Sequence, residues 1–422
     1  MLNKLLKSFK HKIIKNAVMV ISGNVFAQFL NIIFTPVLIR IFTPDEYGLY
    51  SVYVSILGVL SIGTFRYELA LPIEKDDKKA FNILILSLGL ITIYSVFLCL
   101  LFLIFGKPLF ALFQFEEVTE ISLLIPIGIF FSGIYAILNR WAYRNGEYQK
   151  ISRTLMRQGL FSNLSKILAG LLNFGVIGLI IGHIIGTSAG IITLAKSIIE
   201  KRRDLVKQVE LKLIIWSLRR YKDFPLFNMP SALLISSGSS MPVMFLTAYY
   251  GSHISGYFAL AYTIVKLPMN IIGNALGDVL LAESGRIGKN EPHRLMQLSN
   301  QIFRKLLFLG MIPLLILVCF GPDLFAFVFG SDWRTSGEFS RIIALMIFCM
   351  LVFSPFGKLL IVLEKQKLSF LLDVIRTLMV AGVFLIAFLF ELDSFIAISL
   401  YSLVMSIYFF MMFLMSYILI RK

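Results

Sequence analysis

Positive charge collects in alternate gaps between the long apolar segments of this chain, and that alternation restricts the folds open to it. The N-terminus carries Lys4, Lys7, Lys10, Lys12 and Lys15. Further basic groups stand at Lys75, Lys78 and Lys79; at Arg144, Lys150 and Arg153; from Lys196 through Lys222; at Arg286, Lys289, Arg294, Arg304 and Lys305; at Lys365 and Lys367; and at Arg421 and Lys422. The gaps between them are nearly bare. Arg40 and Lys107 stand alone, 173–178 and 251–255 hold neither Lys nor Arg, and 391–394 is acidic. Lys and Arg accumulate on the cytoplasmic side of membrane helices. The pattern therefore predicts a polytopic membrane protein with both termini and the 197–224 connection inside, and 251–255 and 391–394 outside. The net charge of +16 is then a topology signal, and nucleic acid is not an expected partner.

Hydrophobic residues make up 58% of the chain and mean hydropathy is +0.84, against roughly 45–50% apolar in soluble domains. A helix needs about 20 apolar residues to span the hydrocarbon. About twelve such stretches can be drawn: 17–39, 48–70, 81–105, 121–139, 154–174, 176–196, 225–249, 256–281, 303–322, 340–361, 369–390 and 395–419. The expected fold class is an all-α polytopic membrane protein. The alternating ten-residue segments of a β-barrel are absent. The first stretch is too long for a signal-peptide core and lacks a small-residue cleavage site, so it reads as a helix.

Cys99, Cys319 and Cys349 fall in apolar segments and form no disulfide framework. His11, His183, His253 and His293 have no metal-type spacing, so no metal or cofactor is expected. No G-x-x-x-x-G-K-[ST] occurs, so active transport would draw on a gradient, on substrate energy or on a partner.

The organisation reads as an N-terminal six-helix half (1–200), a cytoplasmic amphipathic connection (201–224) and a C-terminal half (225–422). In the connection Leu211, Leu213, Ile214, Ile215, Trp216 and Leu218 alternate with Lys201, Arg202, Arg203, Lys207, Lys212, Arg219, Arg220 and Lys222. That pattern suits a helix lying on an anionic leaflet, as do Leu2, Leu5, Leu6, Phe9 and Ile13 at the N-terminus. The halves echo each other. Thr43-Pro-Asp-Glu-Tyr-Gly48 corresponds to Ser252-His-Ile-Ser-Gly256, and Glu147-Tyr-Gln-Lys150-Ile-Ser152 to Lys365-Gln-Lys367-Leu-Ser369, as in a duplication of six helices.

These segments carry a resemblance. Asp45-Glu-Tyr-Gly48-Leu-Tyr50, Phe65-Arg66-Tyr67-Glu68-Leu-Ala70, Phe329-Gly-Ser-Asp-Trp333 and Ser354-Pro355 resemble the polysaccharide flippases of the multidrug/oligosaccharidyl-lipid/polysaccharide exporter superfamily. The resemblance implies two six-helix lobes forming a V around a central cavity. It also implies outward movement of an undecaprenyl-diphosphate-linked oligosaccharide for surface polysaccharides such as lipopolysaccharide or capsule. Membrane lipids and other polysaccharide-assembly proteins are the expected partners, and the bacterial cytoplasmic membrane the expected location.

A charge at a helix centre costs about 2.5–3.5 kcal/mol on insertion scales, so ionisable residues inside spans should face a cavity or a partner. Lys166 lies midway along the fifth stretch and Lys266 in the eighth, followed by Pro268. Arg66, Arg140, Lys358 and Arg376 complete the cationic candidates for substrate binding. Glu68, Asp278 and Asp373 are the candidates for coupling to a proton or sodium ion. A bland reading stands beside these: Arg66 with Glu68 and Asp373 with Arg376 satisfy each other, and Arg140 and Lys358 snorkel. The run Ser231–Ser240, bracketed by Pro230 and Pro242, either packs closely or lines a hydrated path, with a helix break at the prolines. Trp141, Tyr143 and Trp333 read as an interfacial belt.

The leading expectation is a non-enzymatic flippase working by alternating access. The first rival is a cation-coupled multidrug exporter, which the absence of a carboxylate from Ala17–Ile39 weakens. The second is a membrane polysaccharide polymerase, which would need an outer catalytic loop. The outer gaps near 106–120 and 323–339 gather no such set.

Overall fold

A computed structural model describes residues 2–112, 115–200, 207–267, 269–288 and 291–421. Lys201, Arg202 and Arg203 of the connection, with Pro268, Lys289 and Lys422, lie outside the described residues. So do the side chains of Leu2 through Lys15, on which the N-terminal anchor reading rests.

Every element among the described residues is helical. The helices are α1 (Leu2–Ile41), α2 (Pro44–Leu60), α3 (Asp77–Leu112), α4 (Leu124–Arg144), α5 (Tyr148–Leu171), α6 (Gly175–Ser188), α7 (Ile191–Glu200), α8 (Leu211–Arg220), α9 (Met229–Val265), α10 (Asn274–Ile287), α11 (Pro292–Phe329), α12 (Arg334–Phe353), α13 (Gln366–Leu389) and α14 (Ser394–Arg421). Nine helical runs among the described residues are long and apolar enough to cross a membrane. One of them, Phe224–Val265, is broken at Gly251, where φ is 85°. Large apolar side chains face outward in numbers no soluble surface carries; Phe308 is 70% exposed and Phe327 81%.

Three boundaries differ from the sequence reading. The second span stops at Leu60, and 61–66 turns, with Phe65 (φ 50°) and Arg66 (φ 64°) both left-handed before a short 3₁₀ turn at Tyr67–Ala70. The seventh helix runs through Pro242, because neighbouring helices can re-satisfy backbone groups freed by an intramembrane proline, while its break at Gly251 falls in the expected gap at 251–255. The eighth is interrupted by a π turn at Met269–Gly273.

The chain forms two compact units: residues 1–43 with 53–233, and residues 44–52 with 234–422. In the first, α1 packs on α5 and α5 on α6. The α1–α5 seam is narrow because a Cβ on Gly23 would meet the Ser152 Oγ at 2.5 Å. Close small-residue packing of this kind holds helices together where lipid is as apolar as leucine. In the second unit α12 packs on α11 and α14, and Phe303, Phe353, Phe356 and Phe413 form an aromatic cluster beside Leu306 and Leu351.

The internal repeat is visible in the backbone. Each unit has two helix ends closed by a left-handed residue: Gly146 and Asn173 in the first, Glu364 and Glu391 in the second. The same spacing separates both corresponding pairs. In each case the following N–H donates to the carbonyl five residues back, as in Lys365 to Leu360 at 2.8 Å. This is the Schellman closure. The repeated opening segments meet within the second unit: a Cβ on Gly48 would come within 1.9 Å of the Ser252 carbonyl oxygen, and one on Gly256 within 1.9 Å of that of Pro44. The contact is reciprocal, each glycine facing the residue four before the other. Asp45 closes it, accepting from the Ser252 hydroxyl at 2.9 Å and pairing with His253 Nδ1 at 2.9 Å.

Candidate functional site

In the first unit α6 carries Gly178, Gly182 and Gly186 one turn apart, and this row lies against Ala169, Lys166 and Ser162 of α5. A Cβ on Gly182 would sit 2.5 Å from the Lys166 Cγ, so the lysine stem crosses α6 where only glycine leaves room. Lys166 is half-buried there. His183, next along α6, is near enough to feel the lysine charge and stands edge-on to Tyr53 with ring centroids 6.0 Å apart. Asn163, one turn before Lys166, donates to Asn31 of α1 at 2.8 Å. Sequence reasoning passed over His183 because it sought metal spacing. The available signal was its place beside a glycine row in a span.

In the second unit the Lys266 Nζ lies 5.0 Å from the centroid of the Tyr262 ring, a cation–π contact. Tyr262 stacks on Phe258 at 5.7 Å, and Phe258 stands edge-on to Tyr401 of α14 at 6.1 Å. Arg376 of α13 acts on the same Tyr401 and on Tyr408. Lys266 and Arg376, distant in sequence, are thus brought to one tyrosine-lined region by three helices. Arg376 Nη2 is 3.7 Å from Asp373 Oδ1, an ion pair too long to be a hydrogen bond. Its Nε and Nη2 are buried and make no hydrogen bond.

The other candidates are placed as follows. Lys358 pairs with Asp278 at 2.5 Å, joining the turn Ser354–Lys358 to α10, so its ammonium is held by a carboxylate. Arg66 Nη1 is 3.9 Å from Glu68 Oε1. Glu68 is only 4% exposed, and its Oε2 makes no hydrogen bond. Arg140 is exposed on α4. In the run 231–240 Ser231 donates to the Phe227 carbonyl and Ser239 to the Ile235 carbonyl, both at 2.9 Å, while Gly238 sits tightly against Thr377. Among the described residues no three His, Cys, Asp or Glu side chains are grouped to hold a metal ion.

The belt reading of the tryptophans is corrected. Trp141 and Trp333 are 7% and 2% exposed, and both fill gaps inside their units. Trp333 stands edge-on to Tyr47 and Tyr257, and Trp141 packs beside Phe81. Arg144 was read only as a topology charge. It is a clamp, donating to the carbonyls of Leu71, Glu74 and Lys75 and pairing with Asp77 at 2.6 Å. Nearby, burial alone would raise the Glu74 pKa, but hydrogen bonds from the Asp76 and Lys75 N–H groups and the Tyr221 hydroxyl, with the Lys79 charge, lower it. Tyr221 is pushed up to about 12 by burial and by Glu74.

The family model described as "Polysaccharide biosynthesis protein" matches residues 37–338. Among curated proteins, none matches the chain in sequence. Among solved structures, an inward-facing multidrug resistance MATE family transporter of the MOP superfamily is similar with a TM-score of 0.73 at 16% identity, covering 96% of this chain and 98% of its own. The lipid II flippase MurJ in an inward closed conformation gives 0.71 at 15% identity, covering 96% and 87%. A MOP superfamily transporter from Pyrococcus furiosus, described as having reversed binding-pocket polarity, gives 0.61 at 16% identity, with 96% of each chain covered. At these identities the likeness establishes the fold, which is that of the MOP superfamily transporters.

Proposed function

This chain belongs to the polysaccharide biosynthesis protein family, and from that membership we propose that it flips an undecaprenyl-diphosphate-linked oligosaccharide from the cytoplasmic to the outer leaflet. It acts as a transporter and leaves its substrate unaltered. The bacterial cytoplasmic membrane houses it, with both termini inside, and the glycan is built into a surface polysaccharide. The observation that carries this reading is the Arg376 guanidinium, with two buried donors unmade beside Tyr401 and Tyr408. Unmade charged donors are costly, and a planar guanidinium fits the paired oxygens of a phosphate. Lys266 lies in the same unit as Arg376. Alternating access requires the units to move against each other.

The test is export of surface glycan in cells carrying Arg376→Ala, Lys266→Ala or Lys166→Ala at matched protein levels. A lost hydrogen bond to a charged group is worth about 1.5–3 kcal/mol, so Arg376→Ala should slow export about tenfold or more. Lys at position 376 should restore part of it and Gln less. Normal export by all three alanine variants would overturn the cationic assignment. Loss of protein in place of export would make these cations structural.

A cation-coupled exporter is the second reading, favoured by the buried Glu68 with one oxygen unsatisfied. All three carboxylates face a cation, Asp278 facing Lys358, Asp373 facing Arg376 and Glu68 facing Arg66, and the buried, unbonded Oε2 of Glu68 makes it the first coupling candidate for a proton or sodium ion. On that reading Glu68→Gln abolishes gradient-driven transport while sparing downhill exchange.

A further inference from the structure

We propose that α8 carries a binding site for the phosphate headgroup of an anionic glycerophospholipid, built from Lys212, Trp216, Arg219 and Arg220. These side chains, with Ile215, line an open surface hollow of about 360 Å³. They stand at i, i+3, i+4, i+7 and i+8, which is one face of a helix.

The helix cannot roll to hide that face, because its surroundings are pinned to the first unit. Lys78 pairs with Glu210 at 2.6 Å, and Asn82 donates to the Gln208 carbonyl and accepts from the Glu210 N–H, both at 2.9 Å. Tyr67 donates to the Leu218 carbonyl at 3.1 Å, Ser217 is fully buried, and Tyr221 donates to Glu74 at 2.9 Å. The indole of Trp216 is fixed as well, with the Lys79 Nζ 4.6 Å from its centroid and the Tyr221 ring edge-on at 6.1 Å. Lys79 adds a fourth cation from a separate helix.

Charge selects the ligand. Among the described residues, no carboxylate lies within ion-pair distance of Lys212, Arg219 or Arg220, although Lys78 beside them is neutralised by Glu210. Two adjacent arginines and a lysine around a ring suit a phosphate diester, which guanidinium groups bind bidentately. Apolar surface selects its source. Leu211 and Ile215 are 71% and 41% exposed on the same side of the helix, and a lipid's acyl chains would cover them where free phosphate would not. The proposal requires only that the chain sits in a membrane and is independent of what it transports.

The experiment uses the full chain in phosphatidylcholine nanodiscs titrated with phosphatidylglycerol brominated on its acyl chains, read by tryptophan quenching. Trp141 and Trp333 are buried, so Trp216 should supply a saturable component that Trp216→Phe removes. An interfacial cation contributes about 1 kcal/mol toward anionic lipid, a factor of about five. Arg219→Gln should raise the half-saturating phosphatidylglycerol fraction about fivefold, and Arg219→Gln/Arg220→Gln more. The charge-matched pair Lys207→Gln/Lys222→Gln, outside the hollow, should leave it unchanged. Equal quenching by brominated phosphatidylcholine, or an equal shift from the Lys207/Lys222 pair, would reduce the effect to general surface contact and overturn the site. Displacement of the lipid by millimolar glycerol 1-phosphate would assign the pocket to a soluble phosphate and overturn the lipid.

Discussion

At the level of single residues, position in a span identified Lys166 and Lys266 as unusual, because a charge among apolar neighbours stands out in any window. What each touches was not legible, since contact partners come from other helices. Lys266 rests on Tyr262, one turn back in its own chain, which spacing could have found. The Lys166 stem lies on Gly182, which spacing could not. Valine at position 182 would drive a side chain into that stem. Overpacking costs about 1–3 kcal/mol, so Gly182→Val should lower the detergent melting temperature, while Gly89→Val, at a glycine with nothing near its missing Cβ, should cost little beyond helix propensity. Glu74 gives a pH prediction. Its folded pKa is below its unfolded one, so its contribution to docking the 208–221 segment is full above the ordinary carboxylate range and fades as pH falls through the lowered value. Hydrogen exchange of residues 208–221 should stay protected through that range and rise only below it. Tyr221→Phe removes one of the bonds that lower Glu74 and should move the rise to higher pH. An onset unaffected by Tyr221→Phe would contradict the Tyr221–Glu74 link.

Among the elements, helices announced themselves through long apolar runs, and most boundaries fell near the expected places. The failures have one cause. Backbone breaks inside apolar sequence are set by neighbours and by glycine, and hydropathy does not register them. The second span ends at Leu60 although the apolar reading carried it to residue 70, and α9 runs through Pro242, where a break was expected. The two repeated segments were legible as a sequence echo, yet nothing in the sequence said that they touch. Their contact depends on Gly48 and Gly256, where any Cβ would collide with a backbone carbonyl. Gly256→Val should therefore separate Pro44–Val52 from 252–256 and break the Asp45–His253 pair. With the three native cysteines replaced by serine, a short bis-maleimide should link Asp45→Cys to His253→Cys in the glycine background and fail in the valine one. Equal linking in both would show that the reciprocal approach is not what holds these segments together.

For the whole molecule, the alternation of charge pointed to the membrane class and predicts the sidedness, because insertion sorts Lys and Arg by side. The all-helical fold followed from hydrocarbon thickness and the need to satisfy every backbone group. Sugar recognition was not legible. On the proposed function it would depend on polar groups gathered from several helices, as Arg376, Tyr401 and Tyr408 are. Sidedness has a direct check: a cysteine at position 253 should react with an impermeant reagent added outside, and one at position 222 only after the membrane is opened. Labelling of position 253 from the inside alone would invert the map. The central claim is movement without chemistry. Purified protein in liposomes should carry a fluorescent undecaprenyl-diphosphate oligosaccharide from one leaflet to the other, measured by its exposure to an impermeant quencher, and the recovered glycan should be chemically unchanged. No change in leaflet exposure over empty liposomes, or a glycan lengthened or cleaved by this protein alone, would contradict it.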